Sequence, residues 1–399
     1  MKKVIVQCGI QINNEYWFAA GNTNGLFKKN LSSGQLSFVG FFLNETNTQF
    51  RAYTDVKLVD NKLVFTPCFA KRIAIYDLEK KEFSDMALPN YEGAMNQYIN
   101  SVRYKDFVYF IPFSSSFFLK YHVGGRLENI DEWTALKKKY LVQGGSNLII
   151  ESICTDGNNI YMFMSNGNKV IILDMDTDKF RVENLDIPSD ECICSVCKVD
   201  SRIWIATNRK RIYQWDYLNN MILHTFDLHQ YIIDTDYIAH YIYVVGKYVY
   251  IINVYDKDIR VFDYINNEFT TIDMSKYIKD KTDDNVSLYY YYDIKSVDDK
   301  KMSLFSYYDG KYVTIEGMQV TDSISGFYLT EDYLEKIITD KFSSNPFFYE
   351  GHTLREFASM LSEEIKIILI QGILVKNCEN QLKKSFGELI YDILTKEES

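Results

Sequence analysis

No apolar run in this 399-residue chain is long enough for a secretion-signal core or a membrane span. The opening Met1-Lys2-Lys3-Val4-Ile5-Val6 is interrupted at Gln7, and the most apolar later stretch, Ile365 to Val375, carries Lys366 and Gln371. Cysteines are few: seven, an odd number scattered through the chain, do not make a disulfide framework. The expectation is a cytoplasmic protein. Positive charge is short as well. Lysine and arginine total 44 against 54 acids, a formal charge of −10. A broad basic nucleic-acid surface is therefore not expected, because phosphate neutralisation usually drives such binding. Only five prolines and five histidines occur. An apolar share of 47% with 25% charged residues excludes wholesale disorder. What the chain has in quantity is aromatic side chains: 32 Tyr, 26 Phe and 4 Trp.

Those aromatics recur at intervals. A short apolar strand is centred on Trp17, Val64, Tyr109, Tyr161, Trp204, Tyr250 and Ser303, and a second strand ends near Asn30, Asp77, His122, Asp174, Asp216, Asp263 and Glu316. The interval from centre to polar anchor is 13 residues in six units and 12 in the fifth. Six residues after the anchor comes an apolar residue in five units: Leu36, Phe83, Phe180, Ile222 and Phe269. Unit three has Leu127 one residue early, and unit seven breaks the rule with Asp322. Most units also show an alternating strand before the marked one, as at Asp55 to Val59, with short Asn/Asp/Gly turns such as Asp60-Asn61 between the two. Four strands per repeat of 40 to 50 residues is the requirement for a β-propeller blade, and a lone blade cannot bury both faces. The expected fold is all-β: a seven-bladed β-propeller of four-stranded antiparallel blades over residues 1–326, followed by a C-terminal α-helical extension.

The repeats resemble kelch-type propellers and, more closely, the sensor-type propeller repeat with a Trp in its second strand and a Gly-Leu start to its third. Asn14-Glu15-Tyr16-Trp17-Phe18-Ala19-Ala20 followed by Gly25-Leu26-Phe27 is the best copy, and Ser201-Arg202-Ile203-Trp204-Ile205-Ala206-Thr207 the next. The kelch Gly-Gly doublet does not recur, and a Trp-Asp strand ending occurs once, at Trp215-Asp216. The resemblance implies the fold and leaves function open.

From residue 327 to 399 the texture changes to helical spacing, with Tyr333, Leu334, Ile337 and Ile338, then a capping box at Thr353-Leu354-Arg355-Glu356. This module is expected to contact a partner, pack on the propeller or mediate oligomerisation. Ring closure is expected through pairing of Val4 and its neighbours with residues 318–325.

Propeller connectivity puts the long loops on one face, here called the top, where binding groups usually sit. Counting back thirteen residues from each second-strand centre, and two further on, places Arg51, Tyr53, Asn96, Tyr98, Glu191, Tyr237, Tyr290 and Tyr292 at the top rim. Rings, one amide and an opposite-charge pair suit a peptide, glycan or other polar organic ligand; a water-filled channel in which they satisfy one another is the plainer alternative. Cys192, Cys194 and Cys197 lack an obvious fourth ligand, so no metal or other cofactor is expected. Two functions follow. The first is a non-catalytic recognition or scaffold propeller binding a peptide, glycan or protein partner at the top face. The alternative is a propeller-type glycan or modified-peptide hydrolase or lyase using top-face carboxylates, Asp190-Glu191 and Asp234 with Asp236.

Overall fold

The computed structural model describes residues 2–21, 23–45, 51–89, 97–113, 115–141, 150–164, 168–232, 239–279, 290–296, 301–306, 310–324 and 326–329. The helical expectations for residues 330–399 lie outside them.

Seven four-stranded antiparallel sheets follow one another along the chain, each strand paired with its sequence neighbour. Blade 1 runs Val6–Ile12, Glu15–Ala20, Gly25–Asn30 and Leu36–Phe41. Blade 2 begins with Tyr53–Val59, blade 3 with Tyr98–Tyr104, blade 4 with Ile150–Thr155, blade 5 with Ile193–Val199, blade 6 with Tyr241–Val245 and blade 7 with Tyr291–Ser296. We call the strands of each blade A to D. The architecture is the seven-bladed propeller that the intervals require.

Strand B explains why the repeat was visible. It is buried on both faces, so its period-2 alternation collapses into an apolar run. In blade 1, Trp17 packs toward blade 2 over Tyr76 at 5.7 Å while Phe18 packs toward blade 7. The buried side chains form seven clusters, one per seam between neighbouring blades.

The polar anchors close the C–D turns on the bottom face. The Asp77 carboxylate accepts the backbone N–H groups of Glu79 and Lys80 at 3.0 and 2.9 Å, and Asp174, Asp216 and Asp263 repeat this with the residues two and three further on. Asn30 does the same with Ser32 and Ser33. Each of these turns ends four residues past the anchor in a left-handed backbone: Gly34, Lys81, Asp178, Asn220 and Asn267. In blade 3 the turn is one residue shorter, and His122 Nδ1 accepts from Gly124 at 3.0 Å. In blade 7 Glu316 pairs directly with Gln319 across Gly317-Met318, so Val320, not Asp322, faces Ile315. That two-residue turn is why the interval rule fails there.

Closure differs from the expectation. Residues 319–324 form blade 7's own strand D, paired with Lys311–Glu316. The N-terminal segment instead pairs further on, Lys2–Lys3 against Tyr328–Leu329, with Val4 N–H donating to Phe327 O at 2.7 Å. Phe327 is buried against Phe18, Tyr16 and Phe305, and Lys29 Nζ sits 4.8 Å over its ring while donating to Gly326 O. The propeller thus reaches at least Leu329, past the expected boundary at 326.

Candidate functional site

Strand A lines the axis and would leave its inner edge of N–H and C=O groups unpaired. The blades solve this with a repeated device. In blades 1 to 5 the A–B register slips after the first pair, as between Tyr53 and Asp55 or Ile193 and Ser195. The residue after this β-bulge reaches the next blade: Asp55 Oδ2 accepts from Ser101 N and Oγ at 3.1 and 2.9 Å, Ser152 Oγ from Val196 N at 3.1 Å, and Ser195 Oγ from Ile242 N at 3.0 Å. Lys57 pairs with Asp55 at 2.7 Å. Sequence reading missed these residues, although Asp55, Ser152 and Ser195 each fall nine residues before a strand-B centre.

The bulge also decides where the expected site residues go. Tyr53 and Tyr98 are the first paired residues of their A strands, as the repeat register placed them, but their rings are buried in seams rather than turned to the axis. The Tyr53 ring packs tilted against Phe42, centroids 4.6 Å apart, between blades 1 and 2. Tyr98 lies between blades 2 and 3, and its hydroxyl accepts from Ser115 Oγ at 3.1 Å. In blade 7 the equivalent first-paired residue is Tyr291, one before Tyr292. Tyr290, half-buried, is tied by its backbone N–H to Val254 O at 2.6 Å. Asn96 and Tyr237, together with Asp234 and Asp236, lie outside the described residues.

Glu191 is 1% exposed and fully engaged. Its carboxylate accepts from Thr207 Oγ1 at 2.7 Å, Arg211 Nη1 at 2.5 Å and Tyr213 Oη at 3.0 Å, all within blade 5. Burial and this carboxylate push the Tyr213 hydroxyl up to about 12, and the same ion pair raises Arg211. The neighbouring Asp190 sits on the surface, 3.5 Å from Arg209. The Glu191 carboxylate is thus spent inside blade 5, and Asp190 is paired at the surface. No disulfide joins the six described cysteines, and no group of three or more His, Cys, Asp or Glu among the described residues is placed to hold a metal. No helix among them is long and apolar enough to cross a membrane. The lysine run falls on a helix, Glu132–Leu141, where Lys138 and Lys139 are exposed and Lys137 donates to Ser115 O.

The seam between blades 1 and 2 is different. Arg51 N–H donates to Gly21 O at 3.0 Å from a left-handed backbone (φ 48°). In the same blade-1 loop, Asn24 is fully buried and donates to Phe42 O and Glu45 O. Glu45 Oε1 accepts Lys71 N–H at 2.6 Å, while Arg72 and Asp85 pair beside it at 2.6 Å. Four atoms of this seam are shielded from solvent with no hydrogen-bond partner: Asn24 Oδ1, Glu45 Oε2, Arg51 Nε and Tyr53 Oη. Burial raises the Glu45 carboxyl to about 7 against the opposing pull of the Lys71 N–H, and burial with the Glu45 charge raises Tyr53 well above its ordinary value. Arg51 lies close enough to bear on the Cys68 thiol, which burial pushes up to about 11.

No protein-family model matches the chain, and no curated protein does either. Solved structures do. The chain is similar to virginiamycin B lyase from Staphylococcus aureus (12% identity, 76% of this chain and 92% of that one, TM-score 0.55). It is also similar to the β-propeller domain of Cps50 (Swd1) from Myceliophteria thermophila (9%, 79% and 98%, 0.54) and to BamB from Moraxella catarrhalis (11%, 82% and 89%, 0.50). Identities this low establish the fold alone, and these neighbours have different roles by name.

Proposed function

We propose that this protein is a non-catalytic recognition propeller whose long-loop face binds a peptide, glycan or protein partner. The observation that carries the reading is the group of unpartnered polar atoms on the top of the blade 1–2 seam. Buried polar groups are ordinarily satisfied from within the protein, and leaving one unmade costs about 1–3 kcal/mol. Four on one seam are best understood as groups that a guest completes. Arg51 and Tyr53 are its principal contacts in this reading, with Asn96, Tyr237, Tyr290 and Tyr292 completing the rim. The engagement of Glu191 by three donors supports binding over hydrolysis. The kelch-like or sensor-like character of the repeats, assembly through the C-terminal helical module and a cytoplasmic location belong to the same proposal.

Peptide and glycan arrays probed with the labelled full chain test it. Binders are expected whose signal is lost in the top-face variant Arg51→Glu and kept in the bottom-face variant Leu218→Ser. An array without binders, or binding abolished by Leu218→Ser and untouched by Arg51→Glu, overturns the reading.

A further inference from the structure

We propose that the Glu45 carboxyl is a proton-operated latch that pins a top loop of blade 1 to blade 2, closed while the group is neutral and released when it ionises. The latch concerns the shape of the long-loop face and holds whether or not a guest binds there. Two hydrogen bonds cross between the blades at this point. Glu45 Oε1 accepts the Lys71 N–H at 2.6 Å, and Asn44 Nδ2 donates to Asp85 Oδ2 at 2.7 Å. Within blade 1, Asn24 Nδ2 donates to Phe42 O at 3.0 Å and to Glu45 O at 3.3 Å, so the segment 42–45 is tied at both ends to the loop that carries Asn24. Lys71 is an exposed residue, and among the described residues the Glu45 carboxyl is what its N–H donates to.

The seat suits the neutral acid better than the carboxylate. Glu45 Oε2 is shielded from solvent without a hydrogen-bond partner, so an ionised carboxylate in the same place is served by one N–H alone. A shielded charge with a single donor costs more than the uncharged acid. The charged and titratable groups around it do not supply the missing partner. From blade 2, Lys71 and Arg72 favour ionisation, but burial outweighs them and raises the carboxyl to about 7. The Arg72 guanidinium is already spent on Asp85 at 2.6 Å. Burial keeps the Tyr53 hydroxyl well above its ordinary value and the Cys68 thiol up at about 11, so neither carries charge near neutrality. From blade 1, Cys8 bears on Tyr53 and Arg51 on Cys68. When the proton leaves, the carboxylate gains by turning out to water, and the Lys71 N–H loses its acceptor. Asn24 keeps Phe42 O, so the release loosens Glu45 without dismantling blade 1. The latched form holds a proton that the released form gives up, and release therefore grows as pH rises.

Hydrogen–deuterium exchange of the full chain, resolved to the Lys71 amide by fragmentation in the mass spectrometer and corrected for the intrinsic pH dependence of exchange, tests the latch. Protection of that amide is expected to fall about 10-fold between about pH 6 and about pH 8, the change produced by one group with a value of about 7 when latched and 4.5 when released. Glu45→Gln keeps the shape of the neutral acid, so the fold is retained, and the Lys71 amide is expected to stay protected across the range. Glu45→Ala removes the acceptor and is expected to leave that amide unprotected throughout. The inner strand Asn159–Met164 of blade 4 is the reference for the intact ring and is expected to hold its protection in all three proteins. A parent whose Lys71 protection does not change with pH, a Glu45→Gln slope equal to the parent's, or Glu45→Ala protection equal to the parent's at the acid end overturns the proposal. A parallel loss of protection at Asn159–Met164 overturns it too, because the pH effect then belongs to the whole ring.

Discussion

The most discriminating perturbation is Glu191→Ala. A top-rim carboxylate kept for a ligand or for chemistry is commonly neutral or even stabilising to remove, because functional groups are held at some cost to the fold. A strut is not. Glu191 is 1% exposed, and its removal leaves the Tyr213 and Thr207 hydroxyls and one arm of Arg211 without their acceptor. Breaking a buried ion pair by deleting one partner costs about 3–5 kcal/mol. The low end applies here, since the Arg211 side chain is 34% exposed and keeps Asp227 at 3.7 Å, and Thr207 has Arg211 O at 3.5 Å as a fallback. We expect about 3 kcal/mol, which at roughly 2 °C per kcal/mol for a domain this large lowers Tm by about 6 °C. Asp190→Ala is the control: its pair with Arg209 is exposed on both sides, and such pairs contribute under about 1 kcal/mol. Urea midpoints and thermal unfolding by circular dichroism measure both. Glu191→Ala within about 0.5 kcal/mol of the parent, or Asp190→Ala equally damaging, would refute the strut assignment.

Three further outcomes follow from the same geometry. Ser195→Ala should lower stability by about 1 kcal/mol and Asp55→Ala by about 2–3, because Asp55 serves two donors of the next blade plus Lys57, and urea midpoints rank them. Phe327→Ala should cost about 3–5 kcal/mol and render the ring sensitive to limited proteolysis, since this ring plugs the seam between blades 1 and 7. Glu45 holds its proton up to about pH 7 in the fold against 4.5 for an ordinary glutamate, so its stabilising contribution is full below 4.5 and lost as pH climbs through 7. Lys71 and Arg72 oppose the shift, and Asp85 and Tyr53 share the seam; Glu45→Gln should make Tm flatter between pH 5 and 8, and an unchanged slope would place the titration elsewhere.

The blade count was readable because strand B is apolar on both faces and the anchors are chosen by backbone chemistry: Asp77, Asp174, Asp216 and Asp263 each offer one oxygen to two N–H groups. The orientation of the rim was not readable. Period-2 logic puts residues two apart on one face, but the bulge after Tyr53 inserts Thr54, so Tyr53 turns into the seam while Asp55 reaches toward blade 3. Closure was misjudged for a similar reason. Only the two-residue turn at Gly317-Met318, set by a left-handed glycine, makes residues 319–324 the fourth strand of their own blade.

The two faces of the ring differ in how their polar groups are spent. On the bottom, anchors cap turns, and along the axis Asp55, Ser152 and Ser195 answer the next blade's N–H groups, so these polar side chains are matched to backbone demands that the fold itself creates. At the rim of blade 5 the demand is again internal, and Arg211, Thr207 and Tyr213 meet it. Among the described residues, the blade 1–2 seam holds the densest group of polar atoms that no part of the ring requires and none satisfies. A scaffold under selection for stability alone could replace Tyr53 by Phe there at no loss. Under the binding proposal, a guest at the long-loop face would complete the Tyr53 hydroxyl.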